Sequence, residues 1–230
     1  MAQMPRSSFS TDRLITMGRK LTCLCTRAGN GAQQLAKETD QALSDLENRK
    51  LEADKLSFDL DLAREVALQC NSVVDDTVRD VRRACEKHDR EHWDDPVINR
   101  VFTDHTVSDI VYSGREEELK MVRELISRIK GLEPQNSVGS LAADLEATLD
   151  AAVAAEAEFK SCNIAFDEAT TQEHMAREQF VRAYQDSYLR ARLEVGKKNA
   201  HRFFPRLGVR RKTATSTATE KGETVNNEGE

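Results

Sequence analysis

The sequence predicts an all-α protein: two long antiparallel helices forming a coiled-coil-like hairpin, with shorter helices at its tip and at the N-terminus. Two stretches of similar length, Ala32 to Asp95 and Ser140 to Val195, contain no glycine or proline and are bounded by Gly31, Pro96, Gly139 and Gly196. Glycine and proline are the strongest helix punctuation, so each stretch reads as one helix. Apolar residues recur in both at alternating spacings of three and four, the heptad signature. Composition agrees, with 32% charged residues and 5% aromatics, the balance of a long helix rather than of a wide spherical core.

Taken in order, residues 1–31 form an N-terminal arm. Its first ten residues are expected to be disordered. A short amphipathic helix follows from about Thr11, with Leu14, Ile15, Leu21 and Leu24 on one side. It should stop at Arg27-Ala28-Gly29-Asn30-Gly31, where two glycines flank an asparagine.

The first long helix is expected over 32–95. Its seam runs Leu35, Thr39, Ala42, Leu46, Arg49, Ala53, Leu56, Leu60, Ala63, Ala67, Cys70, Val74, Thr77, Val81, Ala84 and His88 without a slip. Leu43, Phe58, Leu62, Val66, Val73, Val78 and Cys85 widen the apolar surface beyond a two-helix seam. A third element or a second copy of the chain is therefore expected to cover the excess.

The tip is assigned to 96–139. Asp94 and Asp95 before Pro96 read as cap and first helical position of a new helix. Residues 96–112 suit a helix, but the β-branched content of TVSDIVY also suits a short strand. Arg115 to Lys130 is a helix, with Leu119, Val122, Leu125, Ile126 and Ile129 on one face. Glu116 to Glu118 sit where the helix dipole favours acids.

The second long helix is expected over 140–204, with Ser140 as cap. Its seam is Leu141, Leu145, Thr148, Ala152, Ala155, Phe159, Cys162, Phe166, Ala169, Glu173, Ala176, Phe180, Ala183, Ser187 and Ala191. Helices paired at equal length put Cys70 and Cys162 at the same level. The polar tail over 205–230 is expected to be disordered.

Little in the chain carries chemistry. His88-Asp89-Arg90-Glu91-His92 matches the HxxEH spacing of inverzincins, in which two histidines hold zinc and the glutamate is the base. Those enzymes are built on an α+β fold that this chain cannot form, so the match reads as a charged helix end with room for adventitious metal binding. A di-iron site needs Glu-x-x-His from each of two helices, and Asp89-x-x-His92 is a single approximate copy. There is no phosphate-binding glycine loop and no GxSxG. The five cysteines (Cys23, Cys25, Cys70, Cys85, Cys162) include no CxxC and read as reduced, partly buried thiols. These readings predict no catalytic residue, no metal, no cofactor and no small-molecule substrate.

The N-terminus lacks the apolar core of a secretory signal, and no run approaches the ~18 apolar residues that span a bilayer. The expected location is the cytoplasm. The breadth of the apolar stripe makes a second copy or another helical protein the expected partner of a structural or adaptor protein.

Charge suggests an alternative. Residues 1–31 carry Arg6, Arg13, Arg19, Lys20 and Arg27 against Asp12. Residues 197–212 carry Lys197, Lys198, Arg202, Arg206, Arg210, Arg211 and Lys212 with no acid. A hairpin brings both segments to one end. The candidate binding residues are therefore Arg13, Arg19, Lys20, Lys197, Lys198, Arg202, Arg206, Arg210 and Arg211, facing an anionic membrane or nucleic acid. The competing reading is a solvated helix end whose cations complement the dipole.

Overall fold

The computed structural model describes residues 4–28, 30–132 and 138–204. The tail over 205–230, with Arg206, Arg210 and Arg211, lies outside the described residues. Six helices follow in order: α1 Thr11–Ala28, α2 Asn30–Glu91, α3 Ile98–Val101, α4 Val107–Val111, α5 Arg115–Lys130 and α6 Leu141–Phe203. No strand occurs among the described residues, so the protein is all-α, and α2 packs against α6. None of the predicted seam residues of either long helix is exposed.

The chain divides into two compact units, one comprising the described residues up to Asp40 and from Val181 onward, the other Gln41–Phe180. In the first, α1 buries Leu14, Ile15, Met17, Leu21 and Cys25 and keeps Arg19 and Lys20 in solvent. Residues 4–10, expected to be disordered, instead turn into α1: the Phe9 N–H donates to the Arg6 carbonyl at 3.0 Å and Pro5 is buried. The Arg13 guanidinium lies 3.8 Å from the Phe9 ring centroid, a cation–π contact that anchors the turn.

Thr39 and Ser187, both predicted seam positions, share a buried hydroxyl–hydroxyl hydrogen bond of 2.7 Å. A polar pair in an apolar seam fixes register, because a slip leaves both groups unsatisfied. Nearby, Arg190 donates to Glu38 at 2.8 Å across the same two helices.

The expected single helix over 140–204 is broken at Gly196, whose φ of 79° and ψ of 154° lie outside any helix. That backbone conformation is open to glycine and strained for residues with a Cβ. The chain reverses there: Phe204 stacks edge-on against Tyr184 and Tyr188, at 5.3 and 5.1 Å between centroids. A straight helix would hold residues 184 and 204 about 30 Å apart.

In the second unit, residue numbers on α6 fall as those on α2 rise. Arg49, Glu52 and Leu56 line one groove with Ala165 to Gln172, while Asp59, Ala63 and Val66 line another with Ala155, Glu158 and Cys162. Cys162 therefore sits level with Asp59 to Val66, and Cys70 packs on the core about two turns further along α2. The expected equal height of the two cysteines is corrected. The same register brings the start of α6 beside Val81, not beside the end of α2.

The overhanging end of α2 is covered by α3, α4 and α5. Val81 and Cys85 share one core with Val97, Val101, Ile110, Val122 and Ile129. Asp89, not Asp94 or Asp95, restarts the chain: its carboxylate accepts the Val97 N–H at 2.7 Å and the Ile98 N–H at 3.2 Å. The ambiguous TVSDIVY segment is helical because Thr106 and Asp109 form a reciprocal capping box at the start of α4. Local capping outweighs β-branched propensity there.

Thr39→Val is expected to leave the Ser187 hydroxyl without its seam partner and to lower stability by about 1 kcal/mol. The double variant Thr39→Val/Ser187→Ala should cost less than the sum of the two single changes in denaturant unfolding. Additive losses would mean that the pair does not act as a unit.

Candidate functional site

The middle of the α2–α6 seam combines buried small residues, Ala53, Ala63 and Ala67 on α2 and Ala155, Ala169 and Ala176 on α6, with the half-buried Leu56, Leu60, Phe159 and Phe166. Small residues let two helices approach closely but remove little apolar surface each. A second set of large apolar side chains in this region is on the outside. Leu51 is 71% exposed, Phe58 69%, Leu62 56%, Val66 42% and Val73 46%. At 3.6 residues per turn these five fall within an arc of about 80°, roughly 130–140° away from the seam. They form a strip about 33 Å long. Scattered exposed apolar residues are ordinary, and several aligned on one helix face make a candidate interaction surface. α6 contributes exposed Ile164 and Met175 on its own outer side.

The basic residues are the second candidate. Arg13, Arg19, Lys20, Lys197, Lys198 and Arg202 are all exposed and belong to the same unit. Because the chain reverses at Gly196, Lys197, Lys198 and Arg202 lie on the returning segment, whose Ala200 and Phe204 are buried. They do not extend α6 into solvent.

A third feature was misread in the sequence. Glu118, assigned to the dipole of α5, is 2% exposed. Burial pushes its carboxyl up to about 7; the hydrogen bond with Asp75 and that group's charge add to the shift, while Asn71 and Arg115 oppose it. A carboxyl–carboxyl hydrogen bond requires one shared proton. Beside it Arg115 joins three helices: it donates to the Ala67 carbonyl of α2 at 2.7 Å and pairs with Glu156 of α6 at 2.9 Å. An arginine at the first position of a helix opposes the dipole, and this tertiary role accounts for it.

His88 is buried and His92 exposed, with ring centroids 4.7 Å apart. Among the described residues no group of three or more His, Cys, Asp and Glu side chains is placed to hold a metal ion, and no helix is long and apolar enough to cross a membrane. Burial, with the charge of Asp40, pushes the Cys25 thiol up to about 11; burial and Asp89 do the same to Cys85.

Comparison with protein-family models, with curated proteins and with solved structures finds no match to this chain.

The raised Glu118 carboxyl has a defined sign. Its folded pKa exceeds its unfolded value, so its contribution to stability is full below about 4.5 and is lost as pH rises through about 7. Melting of the wild type relative to Glu118→Gln should therefore fall between pH 5 and pH 8. An unchanged difference across that range would place the shared proton elsewhere. In thiol titration of the native protein at pH 8, exposed Cys23 should react first, and Cys25 and Cys85 only on unfolding.

Proposed function

We propose that this is a non-enzymatic cytoplasmic structural or adaptor protein that acts through helix–helix association. In this reading α2 and α6 form one antiparallel hairpin, and the units at either part of the chain hold its helices in register. The observation that carries it is the exposed strip Leu51, Phe58, Leu62, Val66 and Val73. Five large apolar side chains in water along one helix face are a standing cost that association removes, at about 25 cal/mol per Å² buried. The partner class that fits is a second copy or another amphipathic helix, since a narrow straight strip matches a helix better than a small molecule.

A second reading is favoured by a separate observation. The exposed Arg19, Lys20, Lys197, Lys198 and Arg202 share one unit, which supports a peripheral binder of anionic membrane or nucleic acid.

Size-exclusion chromatography with light scattering tests the first reading. The expected result is a mass that is a multiple of 25.9 kDa and that rises with protein concentration. A mass of one chain at every concentration overturns self-association. Binding to anionic vesicles and to duplex DNA across a salt series tests the second. Each lysine or arginine near an anionic surface contributes about 1 kcal/mol, so binding should weaken steeply with salt and be abolished by Lys197→Gln/Lys198→Gln/Arg202→Gln. Absence of any binding at low salt removes that reading.

A further inference from the structure

We infer that the α2 strip is a two-fold homodimer interface, in which α2 of a second copy crosses antiparallel over it with Leu62 on the symmetry axis. The inference rests on the reading of the chain as a self-associating helical protein and specifies the surface and register.

The strip is self-complementary. Its exposed apolar residues are spaced seven, four, four and seven apart from Leu51 to Val73, so their order reads the same in both directions about Leu62. In an antiparallel two-fold contact, where residue i meets j while j meets i, that spacing sets each strip residue against another strip residue. An antiparallel copy centred on Leu62 sets Leu51 against the partner's Val73 and Phe58 against the partner's Val66. The two polar positions on the same face, Lys55 and Gln69, also exchange places under this symmetry. Apolar thus meets apolar and polar meets polar along the whole contact. A parallel copy in the same register would also close as an isologous pair, but it would stack Lys55 on the partner's Lys55, a like-charge contact that the antiparallel pairing avoids.

Size is consistent with a weak specific dimer. Covering a strip about 33 Å long together with its flanks removes roughly 600 Å² from water on each copy, near the lower limit for stable interfaces. The strip lies in a part of α2 where α6 takes the opposite face, so a second copy can approach without displacing the seam. One flank carries Asp61 and Glu65, both exposed. Antiparallel two-fold pairing faces each flank with its own counterpart, so these acids meet like charges. Dimerisation should accordingly tighten as salt is raised, opposite to the salt dependence of binding through basic residues.

The test uses the full chain and two exposed positions, whose substitution leaves the buried seam intact; circular dichroism checks that helicity is unchanged. Phe58→Glu alone and Val66→Lys alone should each raise the dimer Kd about tenfold or more, because each buries an unpaired charge. Mixing the two variants should restore a heterodimer, since the introduced carboxylate then faces the introduced ammonium across the axis while the second Phe58–Val66 contact is native. A dimeric wild type with both variants unaffected, or with no rescue on mixing, overturns this interface and leaves self-association standing. A wild type that stays monomeric over about a hundredfold range of concentration overturns both.

Discussion

The structure depends on how little apolar side chain the middle of the α2–α6 seam buries completely. Ala53, Ala63 and Ala67 face a helix whose own seam residues include Ala155, Ala169 and Ala176, all buried. Each fully buried methyl contributes on the order of 0.8 kcal/mol, against 1.5–3 kcal/mol for a leucine or phenylalanine. Two helices joined this way have narrow cohesion, and ordering each residue costs about 1–2 kcal/mol of backbone entropy. Stability must come from elsewhere along the same helices, where further elements add surface.

Each unit supplies that surface differently. In the second, the overhang of α2 past the start of α6 leaves Val81 and Cys85 to be covered by α3, α4 and α5. Polar anchors hold those short helices: Asp89 on the Val97 and Ile98 amides, Arg115 on α2 and α6, and Lys130 on Glu146 at 2.7 Å. In the first unit the added surface comes from α1 and from the segment that returns after Gly196, which brings Phe204 onto Tyr184 and Tyr188. A single backbone conformation at Gly196 is the condition for that packing. The Glu118–Asp75 pair is the exception, a polar cost inside the α2–α5 contact that weakens as one carboxyl takes up a proton.

The heptad track was legible because it is a property of one helix and requires no knowledge of its neighbour. All the predicted seam residues are buried or half-buried, Arg49 and Glu173 among the latter. Arg115–Lys130 was likewise read at its observed limits. The failures concern relations between elements. Equal helix lengths suggested equal heights for Cys70 and Cys162, but the overhang at α2 shifts the register, and nothing local encodes an overhang. Asp89 caps amides eight and nine residues later, beyond the reach of any cap pattern centred on Asp94 and Pro96. Glu118 looked like its neighbours Glu116 and Glu117 because burial is set by α2. The Thr106-x-x-Asp109 capping box was present and missed. Gly196, although it bounds the second stretch, did not end the helix expected over 140–204, where Phe203-Phe204 form an apolar segment needing cover.

The candidate site follows from the same economy of residue size. Phe58, Leu62, Val66 and Val73 were recognised as excess to a two-helix seam, Leu51 was not, and the sequence left open what covers them. In the structure all five are exposed, with alanines holding the fully buried inner positions beside half-buried Leu56 and Leu60. An isolated hairpin would gain by the reverse placement, large residues inward and alanines outward, since that buries more surface at no cost in helix propensity. A sequence that fully buries only alanines at this contact and leaves five large apolar residues outside is suboptimal as a monomer. It becomes consistent when the outer face has a contact of its own. Local pattern and global burial then agree along α2, as they do in foldable sequences generally. The basic residues of the first unit carry no comparable tension, because charged side chains exposed on a helical surface keep their hydration.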